Sequence, residues 1–202
     1  CTGLVSMKEE IILREINDSI SVKQKMLEDS ELLQSVEKVA NECVEAYSRG
    51  NRVLLAGNGG SAADAQHIAA EFVSRYAFDR PGLPAIAFTT DTSILTAIGN
   101  DYGYEQIFRR QLQSNGRKGD IFIGISTSGN SPNVLAALQC AKELGITAVG
   151  LTGQGETKMR EHCDYCIRVP SASTPRIQES HILLGHIICG IVEGALFENA
   201  GE

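Results

Sequence analysis

A basic cluster is missing from this chain of 202 residues: 18 Lys and Arg stand against 25 Asp and Glu, a formal charge of −7. That balance excludes a nucleic-acid footprint, which needs Lys and Arg gathered on one face. A charge-free run of membrane length is also lacking. The longest apolar stretch, "HILLGHIICGIVEGALF", carries His181, His186 and Glu193, so it reads as a buried amphipathic helix and not as a membrane span. No secretory signal is visible. The opening "CTGLVS" ahead of Met7 reads as an expression remnant, which leaves residues 8–202 as one domain. Cysteine lacks a framework: the six at 1, 43, 140, 163, 166 and 189 are scattered, as suits a reducing cytoplasm. Cys163 and Cys166 form the one close pair, "CDYC". It has no second pair to complete a zinc ribbon, and it leads into a strand where a redox motif would open a helix. Internal repeats and low-complexity tracts are absent as well.

What is present is a regular alternation. With 43% hydrophobic residues, the chain is long enough to bury a substantial core. Residues 8–49 carry helical periodicity, through Ile11, Ile12, Ile16 and Ile20 and then Leu32, Val36 and Val39, and predict two helices. Five short apolar runs follow, at 52–57, 84–88, 120–125, 146–152 and 165–170. Helical stretches separate them at 61–77, 92–99, 104–115, 132–144 and 156–162, and a last one covers 176–198. Strands apolar on both faces, alternating with helices, predict an α/β fold with a parallel sheet covered on both sides.

In such a sheet, ligands lie beyond the carboxyl ends of the strands. The first strand ends in "GNGGSA", which satisfies the dinucleotide pattern G-x-G-x-x-A. The acidic partner expected about twenty residues on would fall near Asp79, in a loop, so the match is weak. A tight turn that needs small residues explains it equally well. The third strand ends in "GISTSGNSPNV", with Ser126, Thr127, Ser128 and Ser131 between strand and helix, Ser131 at the N-cap and Pro132 at the first helical position. Free backbone N–H groups and the positive helix end make this an anion cradle. A Walker lysine is missing, so a sugar phosphate fits better than a nucleoside triphosphate.

Together "GNGGS", "GISTSGNS", "LTG", "RIQESH", "GNDYG" and "RPGLPAIA" resemble the sugar isomerase (SIS) domain, and within it the bacterial phosphoheptose isomerases, over residues 8–198. The resemblance implies a doubly wound, flavodoxin-like sheet of five parallel strands with an N-terminal helical extension. It implies interconversion of D-sedoheptulose 7-phosphate and D-glycero-D-manno-heptose 7-phosphate, on the way to heptose for lipopolysaccharide, capsule or another surface glycan. A cytoplasmic homotetramer with sites between subunits is implied too. A related protein that binds a replication initiator keeps the fold without the catalysis; it lacks the acid and the histidine that this chain has at Glu71 and His186.

Aldose–ketose isomerisation moves a proton between adjacent carbons through an enediol and needs a base at carbon and an acid at oxygen. Glu71, on the helix leaving "GNGGS", and His186, on the last helix, match the family's catalytic pair. Glu71 is expected near the strand ends, and His186 in apolar surroundings of low dielectric. The resemblance also implies one zinc per subunit, carried by His67, Glu71, Gln178 and His186. His67 and Glu71, four apart, share a helix face. Gln178 and His186 are eight apart, ~12 Å along a helix, so the side chains converge from a distance or come from two subunits. Substrate contacts carry over to Asn58, Gly59, Gly60, Glu71, Asn100, Asp101, Ser126, Thr127, Ser128, Ser131 and Gln178. His181 is expected to be structural and His162 to lie on the surface.

Overall fold

The computed structural model describes residues 6–198; the rest of the expected N-terminal remnant lies outside them. The 8–49 segment forms two helices, α1 (Met7–Glu28) and α2 (Ser30–Ser48). Asp29 separates them, accepting the Leu32 N–H at 2.9 Å as the N-cap of α2. Then β1 (Val53–Gly57), α3 (Gly60–Val73), β2 (Ala85–Ala87), α4 (Thr92–Tyr102), a short 3-10 turn and α5 (Ile107–Asn115) follow in order. The chain continues through β3 (Ile121–Ile125), α6 (Pro132–Glu143), β4 (Thr147–Thr152), α7 (Met159–His162), β5 (Tyr165–Arg168) and α8 (Thr174–Phe197). All pairings are parallel, in the order β2-β1-β3-β4-β5. That is the expected doubly wound arrangement, with its switch point at β1 and β3.

Alternation along the strands divides the core. Val53, Leu55, Ile121, Ile123, Val149 and Ile167 face the layer of α1, α2, α3 and α8, while Leu54, Phe122 and Ala148 face α5, α6 and α7. The inner strands are buried on both sides, which is why they read as unbroken apolar runs. Helix α8 is long and apolar enough to cross a membrane by composition alone. Its inward face instead packs in the core, and His181 and Glu193 are buried with it.

One boundary differs from expectation with consequences for the site. Helix α3 stops at Val73, not 77, because the following segment turns back to hold its last carbonyls. Helix α8 runs beside α3: Gln178 lies over Gly60, Ile68 touches Gly185 so closely that a Cβ there would sit 2.6 Å from it, and Tyr76 borders Gly190.

Candidate active site

The two turns singled out from the sequence are neighbours, because Gly57 and Ile125 end adjacent strands in register. In the first turn Gly59 has φ +56, a backbone region that favours glycine. Its carbonyl accepts the Ala62 and Ala63 N–H groups and starts α3 without any side-chain cap. In the second turn the hydroxyls point at one another: Ser126 Oγ lies 2.8 Å from Ser131 Oγ and 3.4 Å from Ser128 Oγ. Ser131 is the N-cap residue of α6 by position, but its side chain does not cap. Engaged with Ser126, it leaves the helix's first N–H donors for an anion.

Two residues that the sequence reading passed over join these turns. Asn133, buried in the first turn of α6, pairs amide to amide with Asn58, each donating to the other at 2.9 Å. Tyr104 donates to the same Asn58 oxygen at 3.2 Å. Both carry polar groups at the rim of the cradle, and only long-range pairing reveals them. Ser128 is exposed and Thr127 half-buried. The Gln178 amide closes over Gly60, where a Cβ would stand 2.3 Å from its Nε2.

A second group of side chains lies on the outer side of the α3–α8 pair. His67 Nε2 is 3.0 Å from Glu71 Oε1 and 3.2 Å from His186 Nε2, and His186 Nε2 is 3.9 Å from Glu71 Oε1. One ligand atom from each residue falls within 4.8 Å of the others. Two imidazoles and a carboxylate so arranged form a suitable zinc donor set. The Tyr76 ring lies against His186, centroids 5.6 Å apart, and His67 meets His186 edge-on. His186 is not sunk in apolar surroundings as expected: 30% of its side chain is exposed, and 49% of that of His67. One turn before His67, Asp64 has a buried oxygen without a partner, and burial pushes its carboxyl up to about 6.

Glu71 is not at the strand ends. Helix α3 runs away from them, so Glu71 lies roughly 16 Å along the axis from Gly60 at 1.5 Å per residue. Gln178 stays at the cradle end, apart from the three clustered ligands. Asn100 and Asp101 bond to each other at 2.8 Å on the exposed side of α4, and no described side-chain hydrogen bond links them to either turn. His181 is structural: it is buried, its Nε2 lies 3.1 Å from the Thr152 carbonyl, and burial holds it down at about 4. His162 is half-buried. Cys163 and Cys166 are free thiols packed against the second core, and the other described cysteines, elsewhere in the fold, are free as well.

Known proteins match this arrangement along almost the whole chain. The family described as SIS domain matches residues 17–153. A phosphoheptose isomerase of Aneurinibacillus thermoaerophilus is 66% identical over 190 residues, which are 94% of this chain and 96% of that protein. The solved phosphoheptose isomerase of Neisseria gonorrhoeae is 40% identical with a TM-score of 0.87, over 93% of this chain and 100% of that one. That of Francisella tularensis is 34% identical with a TM-score of 0.88, over 93% and 98%. The motifs, the strand order and these likenesses agree, and the chain belongs to the SIS-domain family, among its phosphoheptose isomerases.

Proposed function

We propose that the chain interconverts D-sedoheptulose 7-phosphate and D-glycero-D-manno-heptose 7-phosphate, with the phosphate on the Ser126–Ser131 turn and the reacting carbons at the His67–Glu71–His186 group. The observation that carries this reading is the convergence of a carboxylate and two imidazoles from α3 and α8 in a chain that also holds an anion cradle. The two sets lie at opposite ends of α3, with Glu71 roughly 16 Å along it from the first turn, farther than one heptose 7-phosphate extends, so the turn of one copy and the group of a neighbouring copy enclose each sugar. Glu71 takes the proton from C1 of the ketose and returns it to C2. His186 protonates O2 as the enediol forms and accepts the proton that leaves O1. Asn58, Gly59, Gly60 and Gln178 line the sugar chain, and Ser126, Thr127, Ser128 and Ser131 hold the phosphate. Asn100 and Asp101 are assigned to the substrate on the motif match alone. Incubating purified protein with sedoheptulose 7-phosphate should yield the aldose; no conversion under any metal condition would contradict the reading.

Zinc suits the donor set, with His67, Glu71 and His186 as its ligands from one chain. Bound there, it would supply a Lewis acid to polarise the carbonyl and hydroxyl oxygens. Gln178 joins this group from a second copy of the chain, since its amide lies over Gly60 at the start of α3 and its α-carbon is ~12 Å along α8 from that of His186. Such a copy also has surface to cover. Ile12, Ile16 and Ile20 on α1 and Leu183, Ile187 and Ile191 on α8 are exposed apolar stripes, the latter flanking His186. A homotetramer with sites between copies meets both needs, and free thiols at the described cysteines suit a cytoplasmic setting. Protein purified without chelator is expected to carry about one zinc per chain, and His67→Ala to lose it together with activity. A fully active sample shown by elemental analysis to be metal-free would contradict the zinc assignment.

A further inference from the structure

Glu193 is a carboxylate inside an apolar helix, 1% exposed, and Arg80 faces it at 2%. Neither takes part in the chemistry above. Charges so deeply buried need full sets of partners, and both have them. Glu193 accepts Arg80 Nε at 2.9 Å and the backbone N–H groups of Tyr76, Ala77 and Phe78 at 2.8, 2.6 and 3.2 Å. Burial opposes its ionisation, but those donors together hold the carboxyl below the usual range. Arg80 turns its remaining donors chiefly to the end of α3: Nη2 to the Glu71 carbonyl at 2.8 Å, and Nη1 to those of Phe72 and Ser74 at 2.7 and 3.1 Å, with the adjacent Pro81 carbonyl also at 3.1 Å. Helix α3 has no glycine at its end and no basic residue in its last turn, so this guanidinium is its C-terminal cap.

The partners of this pair lead to the cluster by two routes. One arm of Arg80 holds the backbone of Glu71. Glu193 holds the backbone of Tyr76, whose ring packs on His186. We infer that Arg80 and Glu193 are positioning residues that set the spacing between Glu71 and His186 by clamping α3 to α8 beyond the site. The inference rests on the catalytic reading of Glu71 and His186. A displacement of about 1 Å costs on the order of a hundredfold in rate, whereas the phosphate cradle lies at the opposite end of α3.

Arg80→Lys keeps the charge but loses the planar fork that reaches four carbonyls and a carboxylate at once. Glu193→Gln keeps the shape. Each should remain folded by circular dichroism, lose on the order of tenfold to a hundredfold in kcat and keep its KM for sedoheptulose 7-phosphate. The limbs of its pH–rate curve should also move. A mere loss of folded protein would scale that curve without moving it. Folded variants with unchanged kcat and pH–rate curve overturn the inference, and so does failure of both to fold, which would make the pair a requirement of the fold alone. Glu71→Gln, assayed alongside, keeps the two claims apart: if it too retains turnover, the catalytic reading has failed; if it alone loses turnover, the clamp has.

Discussion

Glu71→Gln and His186→Ala will each leave the chain folded while turnover falls by about two orders of magnitude or more, the scale of losing a positioned acid or base. Neither change removes a core contact. The Glu71 side chain meets His67 and His186 at the surface of the α3–α8 pair, and the bond that Arg80 makes to this residue goes to its backbone. Glutamine fits the same helix position with nearly the same volume and helix propensity, so a loss of rate reports the missing carboxylate, as base or as zinc ligand, and not a disturbed helix. His186 is 30% exposed, and its ring meets those of His67 and Tyr76. Rates measured with sedoheptulose 7-phosphate, together with thermal melts, check both variants. Near-normal turnover in either one removes that residue from the catalysis.

Ser128→Asp should raise the KM for the heptose phosphate at least tenfold and leave the fold intact. Ser128 is exposed, and its Oγ accepts the Asn130 N–H at 3.2 Å. An aspartate can keep that bond, because Asp closes turns of this kind readily. What changes is the charge in the cradle. Two unit charges about 4 Å apart repel by about 4 kcal/mol at an effective dielectric of 20, which is far more than a hydroxyl contact contributes. An unchanged KM would show that the turn faces something other than phosphate.

Much of this was legible in the sequence because the signals are local. Unbroken apolar runs marked the buried strands, and "STSGNSP" marked a strand-to-helix turn through its hydroxyls and its proline. His67 and Glu71 were readable as one helix face from their spacing alone. The position of Glu71 along α3 was not, since a helix that starts at the strand ends must run away from them. Nor was the environment of His186: its apolar neighbours in sequence, Leu183 and Ile187, point outward to the uncovered face of α8. The Asn58–Asn133 pair, Tyr104 and the Arg80–Glu193 clamp depend on partners 46 to 113 positions apart. A buried Asn, Arg or Glu carries no periodic mark of its own. Ser131 looked like a capping residue and holds the cap position, but the competing hydroxyl of Ser126 takes its side chain.

The central claim is that one sugar phosphate spans from the hydroxyl turn to the His67–Glu71–His186 group. A crystal structure of Glu71→Gln with sedoheptulose 7-phosphate tests it most directly, because the slowed variant is expected to hold the substrate. The account predicts phosphate oxygens on Ser126, Thr127, Ser128 and Ser131 and the N-terminal N–H groups of α6. It places C1 and C2 against the amide that replaces the Glu71 carboxylate and against His186, the two coming from a copy that neighbours the one whose turn holds the phosphate. A heptose phosphate bound with its carbonyl end away from that group, or with its phosphate away from the turn, would contradict it.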